Sequence, residues 1–202
     1  VQPLLQIWDG AGDKNVLRKY VLSILTSVSG VVRPADAKLL YPVVQPMLDV
    51  ATSGGSENVY LTDDALRLWL ALMRVATEYD EGFHLLFPRV INIVVSMDWE
   101  HLKVCMLLLE SYVYVGGEVF LGAYGAGVAA MLLKVMGEVR AKGAMYVMLA
   151  VDALMRKSPQ RGTALLLEGG VFHSVLNICG EVVRDGKDRQ SDVIVVQYMS
   201  VL

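Results

Sequence analysis

Helix pairs recur along this chain at a spacing that restricts the fold more than any other feature of the sequence. Apolar residues such as Val16, Tyr20 and Ile24 follow a 3.6-residue period, which predicts amphipathic helices. The predicted pairs begin near residues 14, 62, 99, 143 and 190, so neighbouring pairs start 37 to 48 residues apart. This spacing is typical of HEAT and armadillo repeats, in which each pair buries its apolar face on the next.

The sequence therefore predicts an all-α fold, an α–α superhelix of the HEAT or armadillo type with about four to five repeats. We expect residues 1–202 to form a single array and to be a fragment of a longer solenoid, because the chain lacks an initiator methionine and stops inside an apolar run. The predicted helices lie near residues 3–8, 14–30, 35–52, 62–78, 81–96, 99–115, 118–140, 143–157, 159–184 and 190–202, and the stretch 159–184 is one helix or two divided at Gly169-Gly170.

Capping signals indicate where several of these helices begin. Thr62 is expected to cap the helix that follows it, with Asp63 and Asp64 in the first turn beside the positive end of the helix dipole. Asp98 is expected to cap the next first helix. Ser158 precedes a proline, which is a residue favoured at the first position of a helix, so a helix is expected to start there.

Two hexapeptides, LLYPVV at residues 39–44 and LLFPRV at residues 85–90, share the pattern Leu-Leu-aromatic-Pro-x-Val. A proline inside a helix removes a hydrogen bond and clashes with the preceding turn, so each helix must start at its proline or bend there. We predict that the motifs mark equivalent second helices of neighbouring repeats. We interpret Pro42 and Pro88 as residues that shape these helices rather than bind a partner.

Composition argues against several kinds of partner. A net charge of −3 disfavours nucleic acid, because phosphate binding needs a basic surface. The longest uncharged stretch, residues 119–133, is shorter than the roughly 20 residues that cross a bilayer, so no membrane span is expected. Cys105 and Cys179 are expected to be buried thiols in a reducing compartment.

The residues provide no support for an enzyme or a cofactor site. His84, His101 and His173 lie on different predicted helices without metal-ligand spacing, so no metal is expected. The glycines of GAYGAG at residues 122–127 lack the spacing and the preceding strand of a phosphate-binding loop. We expect these glycines to permit close helix packing, and we predict a non-enzymatic protein without cofactors.

Charge is divided unevenly along the chain. Residues 49–81 carry seven acidic side chains against two arginines, whereas residues 134–161 carry six basic side chains against two acidic ones. An acidic surface on a solenoid binds basic partners electrostatically, although solvated helix ends explain the same pattern equally well. The candidate partner-binding residues are Asp49, Asp63, Asp64, Glu78, Asp80 and Glu81.

Residues 39–73 carry a more specific pattern. It consists of Leu40 and Pro42, then Pro46-Met47-Leu48, a variable glycine-serine loop, Tyr60-Leu61, the acidic pair Asp63-Asp64, and Leu66-x-Leu68-Trp69. In this pattern the chain resembles the importin-β-type karyopherins, most closely the importin-eleven branch. A weaker similarity continues through residues 100–103 and into GEVFLGAYGAGV.

The resemblance implies a segment from the C-terminal half of a nuclear transport receptor, a HEAT-repeat superhelix that carries protein cargo through the nuclear pore. It implies protein cargo, the GTPase Ran and nucleoporins as partners of the full-length protein, which would be located in the cytoplasm and nucleus. Family members bind Ran mainly through N-terminal repeats that this segment does not include, so no contact residue is transferred. The residues leave open an alternative, a HEAT or armadillo scaffold of a non-transport complex of the coat or phosphatase type.

Overall fold

The computed structural model describes residues 2–55, 58–96, 99–139, 141–185 and Val196, and every element in these ranges is a helix. The all-α prediction is therefore confirmed for the described residues. The elements are α1 (Gln2–Gly10), α2 (Asn15–Ser29), a 3₁₀-helix (Pro34–Leu40), α3 (Tyr41–Ala51), α4 (Val59–Val75), α5 (Glu81–Val95), α6 (Leu102–Met136), α7 (Ala141–Lys157), α8 (Pro159–Glu168) and α9 (Val171–Asp185).

The helix pairs are more regular than the sequence predicted. Their first helices, α2, α4, α6 and α7, start at residues 15, 59, 102 and 141, at spacings of 44, 43 and 39 residues. These spacings are close to the length of a HEAT or armadillo repeat. The chain divides into two compact units, Val1–Ile93 and Val94–Leu202, and a single array over residues 1–202 stays a prediction.

In the first unit, α2 packs along α4, α3 packs against α4, and α1 contacts both α2 and α3. The inward helix faces are apolar, since Leu25, Met47 and Trp69 have no solvent-exposed surface, whereas the predicted stripe of Val16, Tyr20 and Ile24 on α2 is exposed. Burying a side chain of this size stabilises the fold by about 1.5–3 kcal/mol relative to leaving it exposed. The unit is therefore held together by the helix faces that carry the 3.6-residue period.

In the second unit, the helix α6 packs along α7 and also contacts α8 and α9. A break at Gly117, with φ 48° and ψ −127°, divides α6 into residues 102–116 and 118–136. Only glycine adopts such angles without strain, because it has no Cβ. The break agrees with the predicted division at Gly116-Gly117. On either side of it, the rings of Tyr112 and Phe120 stack with their centroids 5.3 Å apart.

By length and composition, the 35-residue α6 is the one helix in the described ranges that could cross a bilayer without joining another. Half of its most apolar 18-residue window is buried inside the protein. The core helix of a soluble protein has the same composition, and the break at Gly117 divides the apolar run. The helices α8 and α9, taken together over Pro159–Gly180, also meet the hydropathy criterion but are bent by 62°.

The glycines of residues 122–127 lie where α6 meets α8. A Cβ added at Gly125 would lie 2.8 Å from Cδ1 of Leu165, which is closer than atoms of folded side chains approach one another. The prediction that these glycines permit close helix packing is therefore confirmed at Gly125. The two cysteines are buried free thiols, as predicted. Burial raises the pKa of Cys179.

The predicted cap at Thr62 was wrong, because α4 begins three residues earlier at Val59. The Thr62 hydroxyl instead lies 3.4 Å from the carbonyl oxygen of Ala51 and 3.3 Å from that of Asn58. It donates to these backbone carbonyl oxygens. Asp63 and Asp64 are therefore outside the first turn of α4.

The other predicted helix starts have different outcomes. Pro159 is the first residue of α8, as predicted, but the side chain of Ser158 makes no capping hydrogen bond. The predicted cap at Asp98 and, apart from the helical Val196, the predicted helix over residues 190–202 lie outside the described residues. The stretch 159–184 is divided at Gly169-Gly170 into two helices.

The two proline motifs share one burial pattern but place their prolines differently. In each motif the first leucine is exposed, whereas the second leucine, the aromatic residue and the final valine are buried. Pro42 lies in the first turn of α3, directly after the 3₁₀-helix, whereas Pro88 lies inside α5. Pro42 therefore starts its helix, and Pro88 is accommodated within one.

Candidate protein-binding surface

The six acidic candidates form two groups at opposite ends of α4. The carbonyl of Ala51 lies beside Thr62, so the end of α3 meets the start of α4. Twelve residues separate Asp63 from Val75 at the end of α4, which corresponds to about 18 Å along the axis. One group consists of Asp49, Asp63 and Asp64, and the other of Glu78, Asp80 and Glu81.

Three of the candidates form ion pairs at the surface. Nη2 of Arg89 lies 2.8 Å from Oδ1 of Asp49, and the Arg89 Nε also donates to that oxygen. Lys38 pairs with Glu78. Arg67 pairs with Asp63 one helical turn away, at 2.8 Å. Surface pairs of this kind contribute about 0–1 kcal/mol, so a partner can replace them at low cost.

Asp64 has a more structural position than the other acidic residues on α4. Its side chain is only 16% exposed, and Nζ of Lys19 on α2 lies 3.4 Å from its Oδ2. This ion pair links two first helices that pack along each other. A substitution of Asp64 would therefore disturb the packing of α2 on α4 as well as any bound partner.

Asp80 caps α5. Its Oδ1 accepts a hydrogen bond of 3.0 Å from the backbone N–H of Phe83, the third residue of the helix. The same oxygen accepts a hydrogen bond of 2.6 Å from Nε2 of Gln45 on α3. A capping carboxylate satisfies a backbone donor that has no partner within the helix. Asp80 thus fixes both the start of α5 and its contact with α3, while Glu81 is exposed in the first turn.

Tyr41, at the start of α3, lies against this second acidic group. Its ring meets that of Phe83 edge-on, with the centroids 4.7 Å apart. Burial raises the pKa of the Tyr41 hydroxyl above its ordinary 10.0, and the nearby carboxylates of Asp80 and Glu78 raise it further. The carboxylates therefore raise the pKa of a tyrosine that is buried between the second helices α3 and α5.

More of the acidic side chains are paired with cations than the net charge of residues 49–81 indicated. Lys19, Lys38 and Arg89 all lie outside residues 49–81, yet each pairs with one of the acidic candidates. Sequence reasoning missed these three cations because helix packing brings them in from other elements. The remaining acidic residue of that segment, Glu57, lies outside the described residues.

The basic side chains of the second unit are also paired with neighbours. Arg156 donates to Asp152 at 2.7 Å, and this hydrogen bond raises the pKa of the fully exposed Arg156. Lys157 lies 5.7 Å from the centroid of the Tyr114 ring, and Arg161 pairs with Glu118 at 3.5 Å. These three basic side chains are therefore held by neighbouring groups.

The histidines occupy three different environments. His101 is buried just before α6, His173 is exposed on α9, and His84 contacts the ring of Tyr79 edge-on. Burial lowers the pKa of His84. Within the residues that the structure describes, no three His, Cys, Asp or Glu side chains are grouped closely enough to hold a metal ion.

A cavity of about 680 Å³ opens in the second unit, where the start of α6 meets the start of α7. Its volume is within the range of small-ligand sites. No sequence pattern indicated this cavity, because its wall combines residues 99–103 with residues 138–146. Among the residues that line it are Trp99, Glu100, Lys103, Glu138, Lys142 and Tyr146, whose charges balance.

Comparisons with known proteins agree with the repeat architecture. The family model described as "Importin-11-like, TPR repeats" matches residues 20–202. TPR and HEAT units are both helix pairs, of about 34 and 40–47 residues respectively, and the spacings in this chain are closer to the HEAT length.

Two curated relatives carry the same name. Mouse importin-11 is 27% identical over 168 residues, which cover 80% of this chain and 16% of the mouse protein. Human importin-11 is 26% identical over 210 residues, which cover all of this chain and 20% of the human protein. The chain therefore spans about a fifth of the length of these relatives. No solved structure matches it.

Proposed function

We propose that this chain, which belongs to the importin-11-like family, is a segment of a nuclear transport receptor and acts as a protein-binding scaffold. The observation that carries the proposal is the family match over residues 20–202, together with helix pairs of regular length. In the complete protein, the receptor carries protein cargo through the nuclear pore under the control of Ran-GTP. It interacts with nucleoporins and is present in the cytoplasm and the nucleus.

The decisive experiment uses the full-length protein and purified Ran. A transport receptor controlled by Ran-GTP binds Ran loaded with a non-hydrolysable GTP analogue and discriminates against Ran-GDP. We expect this preference in a titration followed by fluorescence anisotropy. Equal or absent binding of the two forms would instead support a scaffold of a non-transport complex.

We further propose that the acidic candidates contribute a surface for a basic segment of the cargo. The members that contact the partner are Asp49, Asp63, Glu78 and Glu81. The surface ion pairs of Asp49, Asp63 and Glu78 contribute little free energy, so contacts with a partner can replace them, and Glu81 forms no such pair. Asp64 and Asp80 support this surface by holding the helices in place. The charge pattern favours a basic partner, and its attraction should weaken with salt.

A fluorescein-labelled lysine-rich peptide is a suitable probe for this surface. Its binding to the 202-residue chain should weaken severalfold when Glu78→Lys and Glu81→Lys are combined, and the difference should shrink as salt is added. Glu118→Lys combined with Glu168→Lys is the matched control, since it makes the same change of net charge at two exposed acids of the second unit. If the peptide binds the double variant and the parent chain alike, the acidic surface is refuted while the Ran experiment still stands.

A further inference from the structure

An apolar stripe on α2 is exposed, although the equivalent stripe on the next first helix is buried. Leu17, Tyr20 and Ile24 follow one another at helical spacing and are 40%, 64% and 47% exposed. A shift of 44 residues, the distance between the starts of α2 and α4, aligns Leu17 with Leu61 and Ile24 with Leu68. Both leucines are completely buried.

The buried stripe on α4 faces α2. The same shift aligns Tyr20 with Asp64, the residue whose carboxylate pairs with Lys19 of α2. Leu61 and Leu68 share the helix face of Asp64, since they lie three residues before it and four residues after it. The helix α4 thus uses this face to pack on the first helix before it, and on α2 the equivalent face is open.

The alignment also shows where the stripe ends. Val16 is exposed on α2, but its counterpart Tyr60 remains 76% exposed although α4 packs along α2. This position is therefore not covered by a neighbouring repeat. The helix α1 does not cover the stripe either, because it meets α2 on another side, where Arg18 lies 5.0 Å from the Trp8 ring centroid.

We infer that Leu17, Tyr20 and Ile24 form the docking surface for the first helix of a preceding helix-pair repeat in a longer chain. The occupant follows from the fold, because the equivalent face of α4 binds a helix of the same class. The matched region is only 16–20% of the relatives' length, so most of each relative lies outside it. The bound helix presents apolar residues every three or four positions. This inference rests on the repeat architecture and not on the transport role.

The experiment compares two lengths of the protein, the 202-residue chain and the same chain preceded by about 45 further residues of its own reading frame. Ile24→Lys places a charge in the stripe, whereas Val16→Lys places the same charge on the same helix outside it. Urea unfolding is followed by tryptophan fluorescence, because Trp8 and Trp69 are both buried in the first unit. Hydrogen exchange of the α2 amides is measured on both lengths without substitution.

We expect Ile24→Lys to lower the urea midpoint of the extended protein and to leave the 202-residue chain unchanged. Val16→Lys should be neutral in both lengths. The amides of α2 should exchange about tenfold more slowly in the extended protein, a result that needs no variant to fold. Equal exchange in the two lengths would overturn the inference. So would a dimer of the 202-residue chain that Ile24→Lys disperses in sedimentation, because the occupant would then be a second copy.

Discussion

Replacing Asp80 by alanine should weaken the start of α5 and separate it from α3. The substitution removes the acceptor of the Phe83 N–H, a cap worth about 1 kcal/mol. It also removes the hydrogen bond from Gln45 to a charged oxygen, worth up to about 1.5 kcal/mol at a half-buried site. Since the two bonds share one oxygen and are not additive, we expect a total loss of about 2 kcal/mol.

Hydrogen exchange of residues 81–95, combined with urea unfolding, measures this loss where it arises. Asp80→Asn should stay within about 0.5 kcal/mol of the parent, because asparagine caps helices as well as aspartate and keeps an acceptor oxygen. Glu81→Ala is a second control and should also cost at most about 0.5 kcal/mol, since that side chain is exposed in the first turn. In a protein that already carries Gln45→Ala, the additional substitution Asp80→Ala should cost only the free energy of the helix cap, about 1 kcal/mol.

Two results would refute this reasoning. The first is an Asp80→Ala variant as stable as the parent chain, and the second is an Asn variant as unstable as the Ala variant. The comparison also bears on the binding surface. Asp80→Asn removes the charge without removing the cap, so it tests a role in partner binding that Asp80→Ala would confuse with unfolding.

Three other predictions test the backbone and the buried tyrosine. Gly117→Ala should lower the free energy of unfolding in urea by about 1–3 kcal/mol, because alanine is strained at φ 48°. Gly137→Ala, at φ −70°, should be nearly neutral, and equal losses in the two variants would contradict the strain argument. The stability of the parent chain should fall as pH rises through 10, because the folded state holds the Tyr41 proton more tightly than the unfolded state. The urea midpoints of Tyr41→Phe should lack this part of the loss, and identical pH profiles of the parent and the variant would contradict the prediction. Pro88→Ala should stabilise α5 by about 1 kcal/mol, because it restores a helical hydrogen bond. Pro42→Ala should instead lower the free energy of unfolding by about 0.5 kcal/mol, measured by thermal or urea unfolding. Changes of the same sign would mean that both prolines have the same role.

Apolar periodicity predicted most of the fold because burial and helical geometry depend on local sequence. On α4, Leu66, Trp69 and Met73 lie at helical spacing and are buried, and the break at Gly117 fell between the helices predicted near residues 99–115 and 118–140. The start of α4 was misplaced because Thr62 is a favoured cap, and propensity could not show that its hydroxyl bonds to the end of α3. Helix starts are decided by such tertiary contacts.

The candidate surface could be predicted only in part, because charge is local in sequence while charge pairing is not. The acidic excess of residues 49–81 was visible, but Lys19 and Arg89 reach it from α2 and α5. The hydrogen bond that Gln45 donates to Asp80 was equally hidden, since the two residues lie 35 positions apart in the sequence. A linear count of charges therefore overstated the field that a partner would meet.

The break at Gly117 also determines how this repeat tolerates insertions and deletions. The pair α4 and α5 is joined by the five residues 76–80, whereas here, as between α7 and α8, a single residue joins two helical segments. One inserted residue would rotate everything up to residue 136 by about 100° and shift it by about 1.5 Å. The stacked rings of Tyr112 and Phe120 and the close contact of Gly125 with Leu165 would both lose their alignment. We therefore expect changes in chain length among relatives to fall in the longer turns and to be absent from residues 112–125.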